Sequence, residues 1–138
     1  MFRFRKLFNS ASVVPETMVI DSFGCEIFEG ALFVLSSGEP IGPYNDCRPE
    51  YVALKNCNYN DSKLPCFKIT NNMVFEVEFI GDPSLLHVGS KLMIVSGTNG
   101  YSTAVQLCEE GDEYSSILEI YSTQGARKSG DRVLINFI

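Results

Sequence analysis

The sequence predicts an all-β protein: a small antiparallel barrel or sandwich of about nine short strands with an extended N-terminal arm. Three observations carry that expectation. Phe75, Val77 and Phe79 alternate with Glu76 and Glu78, which is the two-residue period of a strand with one dry face and one wet face. Turn-forming residues recur at spacings of roughly ten residues, as in barrels and sandwiches. No segment holds a helical period over three turns, and residues 83–88 offer one turn at most.

In chain order, residues 18–23 read as the first strand of the body, and Gly24 permits a bend. The continuous apolar run Ala31, Leu32, Phe33, Val34, Leu35 reads as a strand buried on both faces. A turn-rich loop follows from Ser36 to Pro43, then a short strand over 51–54. Residues 56–65, rich in Asn, Asp and Ser, read as a polar loop carrying Tyr59: a solvated hairpin tip or a contact for a partner. Cys66 opens a strand that turns tightly into the strand ending at Phe79. Gly81, Asp82 and Pro83 break it, because proline cannot continue a sheet ladder. Leu92, Met93, Ile94 and Val95 resume, and Asn99-Gly100 signals a hairpin into a strand over 103–107. Glu109, Glu110, Asp112 and Glu113 form an acidic turn without the oxygen-ligand pattern of a calcium loop. Strands over 116–121 and 132–137 complete the set.

Gly30, Gly89 and Gly130 each precede an apolar strand by one or two residues. Glycine supplies the turn conformation and the chain enters the core at once.

At 138 residues the chain is read as two parts, an arm over 1–15 and a single β domain over 16–138. Charge separates them. Arg3, Arg5 and Lys6 give the arm +3, which leaves −9 on the remainder of a chain whose net charge is −6. An acidic body argues against a broad phosphate-binding track. The arm has three readings: a terminus that frays or adds to a sheet; a partner-binding segment in which Phe2, Phe4 and Phe8 fill pockets while Arg3, Arg5 and Lys6 meet acids or phosphates; or a basic amphipathic membrane anchor, the least favoured because the segment is too short to bind strongly alone. No secretory leader is expected, because no apolar core follows the basic start, and no apolar run approaches the length of a membrane span.

The five cysteines, Cys25, Cys47, Cys57, Cys66 and Cys108, lack zinc-knuckle spacing and read as reduced, mostly buried thiols. The one histidine, His87, sits beside Leu85, Leu86 and Val88 and reads as a rim residue. There is no phosphate-cradling glycine loop, nucleophile elbow or H-E-x-x-H motif. No enzyme, cofactor or metal is expected. A nucleic-acid-binding barrel fits the strand count, but Glu76 and Glu78 stand where such a site needs Lys or Arg.

Several segments together resemble one family. They are the strand and Ser-Gly turn from Gly30 to Gly38, the Pro49-to-Val52 strand, and the segment holding Pro65, Ile69, Met73, Phe75, Glu76 and Val77. To these are added the turn holding Leu86, Val88, Gly89, Lys91 and Leu92, and the closing Gly130-Asp131-Arg132-Val133-Leu134-Ile135 with Phe137. Over roughly residues 25–138 the pattern resembles small head-decoration or auxiliary capsid proteins of tailed bacteriophages. The resemblance implies an all-β virion structural protein made in the host cytoplasm. It would sit on the capsid surface as a homo-oligomer, favourably a trimer, and bind the major capsid protein. It implies no membrane partner and places the arm, Phe2 to Phe8, on a neighbouring capsid subunit or a sister protomer; the acidic body disfavours nucleic acid as a partner. Tail or baseplate structural proteins, small nucleic-acid-binding barrels and, third, a small enzyme whose site is assembled from residues not grouped in the sequence remain as alternatives.

Overall fold

The computed structural model describes residues 1–7, 16–19, 26–41, 48–58, 61, 63–97, 104–113 and 116–138. Eleven strands lie within them: β1 Arg3–Leu7, β2 Glu16–Val19, β3 Leu32–Ser36, β4 Glu39–Ile41, β5 Tyr51–Ala53, β6 Lys63–Lys68, β7 Met73–Phe79, β8 Lys91–Val95, β9 Ala104–Leu107, β10 Leu118–Ser122 and β11 Arg132–Phe137. The nine strands expected from sequence are all among them, shifted by a few residues at their ends. The two others are β1, inside the supposed arm, and β4, inside the loop after Ser36. Pro40 lies in β4, which is tolerated because, among the described residues, β4 ends its sheet and pairs only with β3.

Five strands close a barrel in the order β7-β11-β10-β8-β9, with β9 returning to β7. All the neighbouring pairs are antiparallel except that last one, where Glu78 and Phe79 pair in parallel with Ala104 and Val105. β7 organises the barrel. One edge carries β11 from Val74 to Glu78. The other edge is shared, with β1 along Met73 to Glu76 and β9 beyond it.

Phe75, Val77 and Phe79, which the alternation placed on one face, are buried, and the neighbouring strands bury Val133, Ile135, Phe137, Leu118 and Ile120 with them. Phe75 meets Phe137 edge to face, with ring centroids 5.6 Å apart. Each such ring contributes about 2–3 kcal/mol by leaving water. Glu76, Glu78 and Glu119 lie on the alternate positions, toward the outside.

The chain divides into two compact units, one built from residues 1–11 and 70–138 and the other from residues 12–69. This differs from the expected division into an arm and one domain. Residues 12–69 are inserted between two strands of a single barrel unit, and such an insertion leaves no mark in composition. The inserted unit is a five-stranded antiparallel sheet, β2-β6-β5-β3-β4. Its core holds Ile27, Phe33, Ala53, Cys57, Leu64 and Cys66, and Phe33 stacks on Tyr51 at 5.4 Å.

The repeated glycine turn is real. Gly30, Gly89 and Gly130 have φ of 77°, 85° and 96°, a region that residues with a Cβ rarely occupy. At Gly89 and Gly130 a Cβ would meet nothing within 4 Å, so the backbone conformation selects glycine there, not a lack of space. His87 is exposed beside this turn, its backbone N–H donating to Ser90 Oγ.

Candidate functional site

The strongest concentration of charge chemistry lies on the outer face of β1, β7 and β11. Alternation along β7 sends Glu76 and Glu78 outward while Phe75 and Val77 fill the barrel. Register then places the cations beside them: Arg3 is opposite Glu76 on β1, and Arg132 is opposite Glu78 on β11. An irregularity between Phe4 and Lys6 shifts the β1 register, as a bulge does when it re-aims side chains. Arg5 Nε lies 4.0 Å from Glu76 Oε2, and Arg132 Nε lies 3.9 Å from Glu76 Oε1. The Glu76 side chain is only 13% exposed, whereas Arg5 and Arg132 are 50% and 42% exposed. One shielded carboxylate is thus held between two wet guanidinium groups, each touching it by a single long contact that leaves the bidentate fork unused.

The amino group of Met1 belongs to the same neighbourhood. Burial, then the nearby Arg132 charge, push its pKa below the ordinary value, Glu78 opposes them, and Arg3 adds to the lowering. Further round the sheet, Lys6 Nζ sits 4.8 Å from the Tyr121 ring centroid, a cation–π contact. Lys91 Nζ donates to Glu119 Oε2 at 2.9 Å, and Asn136 Nδ2 donates to Glu119 Oε1 at 3.3 Å. The Lys91 hydrogen bond is the leading cause that holds the Glu119 carboxyl below its usual pKa.

The residues expected to contact a partner separate into two groups. Phe2 is buried in this protein's own core, 2% exposed, and Phe4 packs edge to face on Phe75 at 6.1 Å. Over residues 2–7 the arm is therefore a docked strand, since burying its phenylalanines on the barrel stabilises it more than leaving them in water. Arg3, Arg5 and Lys6 are exposed and face solvent. Phe8 lies outside the described residues, as do Tyr59, Cys25, Cys47, Asn99 and Gly100. Sequence reasoning missed Arg132 and Tyr121 as members of this face. The only signal for them was the alternation of Arg132, Leu134 and Asn136 against Val133, Ile135 and Phe137; the pairing of β11 with β7 was not visible.

The inserted unit has a cleft of about 260 Å³ lined by Glu26, Ile27, Phe28, Asn56, Cys57 and Asn58. Its cysteine is poorly suited to nucleophilic work. The Cys57 thiol donates to the Lys63 carbonyl at 3.6 Å, and burial pushes its pKa up. Among the described residues no group of three His, Cys, Asp or Glu side chains is arranged to hold a metal. No described helix is long and apolar enough to cross a membrane. Comparison with family models, with curated proteins and with solved structures gives no match.

Proposed function

We propose that the chain is a virion structural protein, a capsid decoration or auxiliary protein that binds the major capsid protein and reinforces the lattice from outside. The carrying observation is the outer face just described, on a barrel whose core is apolar and rich in phenylalanine. Arg5, Arg132, Arg3 and Lys6 offer cations around a shielded carboxylate, a composition suited to charge-guided docking rather than bond making. Each contact is modest in strength, and repetition over a lattice raises the overall hold by multivalency. The net charge of −6 keeps a decorated particle soluble.

The test is co-sedimentation of the purified chain with expanded shells of the major capsid protein from the same virus. Saturable binding at a fixed ratio to the shell subunit is expected. Absence of binding, or binding that never saturates, overturns the reading.

A further inference from the structure

We propose that the outer edge of β1 takes an extended acidic segment of the major capsid protein as an added strand, with carboxylates at alternate positions and apolar residues between them. The proposal rests on the decoration reading above and deepens it by naming the chemistry of the partner's contact.

The edge is placed to receive a strand. β1 stands at the end of the sheet order β1-β7-β11-β10-β8-β9, and among the described residues its far side carries no strand. Such an edge is a template for strand addition: main-chain hydrogen bonds supply the hold, and alternate side chains supply the specificity. The template is already ordered. Phe2 is buried and Phe4 packs on Phe75, so a partner meets a seated strand rather than a loose terminus, which lowers the cost of binding.

Charge then selects the occupant. Arg3 lies opposite Glu76 and Lys6 opposite Val74, alternate positions of β7 that share its outer face. Arg5 falls at the irregularity between Phe4 and Lys6, and its contact with Glu76 Oε2 sets it on the same face. Unbroken alternation would send Lys6 to the side of Phe4; the bulge instead gathers Arg3, Arg5 and Lys6 on one side. All three are exposed, and each keeps hydrogen-bonding capacity for a ligand. Arg5 shares Glu76 with Arg132, so its charge is only partly offset. Arg3 Nη2 donates to the Met1 sulfur, a weak acceptor 3.9 Å away. The Lys6 ammonium rests over the Tyr121 ring.

The β1 of a second copy fits this edge poorly, since like charges opposite one another across a strand pair repel. An acidic strand turns that repulsion into attraction. Its carboxylates stand beside Arg3 and Lys6, within reach of the Arg5 fork, and the residues between them extend the apolar side on which Phe4 lies.

The experiment titrates a blocked heptapeptide of alternating glutamate and valine into the full chain at about 0.1 M and about 1 M salt, between which the screening length falls from about 10 Å to about 3 Å. Amide NMR shifts report binding. Three further peptides are compared: lysine and valine alternating, and the acidic peptide N-methylated at every glutamate or at every valine. Saturable shifts centred on β1 are expected for the acidic peptide, weaker at high salt, and none for the lysine peptide. One of the two methylated peptides should lose binding, because alternate N–H groups of a strand face the same edge. Arg3→Glu with Arg5→Glu should weaken the acidic peptide by about tenfold or more and admit the lysine peptide. Arg3→Gln with Arg5→Gln, which avoids new acids beside Glu76, should give the same loss without the exchange of preference. Excess acidic peptide should also release the chain from capsid shells.

No shift at β1, equal binding of both methylated peptides, or indifference to both double variants would overturn the proposal. Shells that bind the chain whatever the peptide concentration would overturn it too, and leave the decoration reading standing. Peptide binding without shell binding would overturn the decoration reading, and with it the assignment of the segment to the capsid protein. Self-association through β1, or retention of a single-stranded oligonucleotide that depends on Arg3 and Arg5, each without peptide binding, would give the edge to a second copy or to nucleic acid instead.

Discussion

Leu7 pairs with Met73 across β1 and β7, although the whole inserted unit, residues 12–69, lies between them in the chain. The chain leaves the barrel at the end of β1 and re-enters it at the neighbouring position on β7. The first strand of the barrel unit therefore waits for its partner until the insertion has been traversed, a long loop closure whose entropy cost grows only slowly with length.

That arrangement makes the start of the chain part of the stability of the barrel. Phe2→Ala is expected to lower stability by about 3–5 kcal/mol, as large-to-small changes at buried aromatic positions do. Arg3→Ala, at an exposed site, should change it by less than about 0.5 kcal/mol. Urea unfolding followed by tyrosine fluorescence separates the two. An undiminished midpoint for Phe2→Ala would mean that the segment is not docked. Deleting residues 1–12 would remove a sheet strand and so probes partner binding poorly; substitutions at the exposed Arg3 and Arg5 test it better.

Much of this architecture was legible in the sequence. The alternation of Phe75, Val77 and Phe79 with Glu76 and Glu78 fixed both the strand and its inward face, and the glycines before Leu32, Lys91 and Arg132 marked three strand entries. Two features were not legible. Whether Phe2 and Phe4 rest on the barrel or on a partner depends on the edge that β7 offers for pairing, and no local pattern reports that edge. The grouping of Arg5, Glu76 and Arg132 depends on pairing among strands distant in the chain, which periodicity does not encode.

The Lys91–Glu119 pair makes acid stability a second test. The Glu119 carboxyl is held below its ordinary pKa, first by the Lys91 hydrogen bond. A carboxylate depressed in the folded state contributes stability above its unfolded pKa, and that contribution disappears as the pH falls through the lower folded value. Glu119→Gln should therefore be less stable than wild type at neutral pH, with the gap narrowing as the pH falls below the ordinary carboxylate range. Melting curves from neutral pH to strongly acidic solution measure that gap, and a gap constant with pH would contradict the assignment.

Gly130 provides a test of the turn-entry device. Its φ of 96° lies in the left-handed half of backbone space, which costs a residue with a Cβ about 1–2 kcal/mol. Gly130→Ala should destabilise by that amount although a Cβ there meets nothing within 4 Å. Equal melting temperatures for Gly130→Ala and wild type would show that the turn relaxes freely.

Thiol chemistry probes the inserted unit. Cys57 is 3% exposed, and its thiol is pushed up in pKa by burial, so its thiolate fraction at neutral pH is below that of a free cysteine. Alkylation mapped by mass spectrometry should leave Cys57 unmodified in the native protein and modify it fully in denaturant. Native modification at the rate of a free thiol would contradict the packing of Ile27, Cys57 and Leu64 in one core.

The most direct measurement of the central claim is the melting temperature of expanded capsid shells, by scanning calorimetry, with and without a saturating amount of the chain. A ligand that binds the assembled lattice and not its unfolded subunits must raise that temperature. The decoration reading predicts a rise that saturates at the same ratio as binding and shrinks for Arg3→Glu with Arg5→Glu. Shells that melt at the same temperature with and without the chain would contradict it.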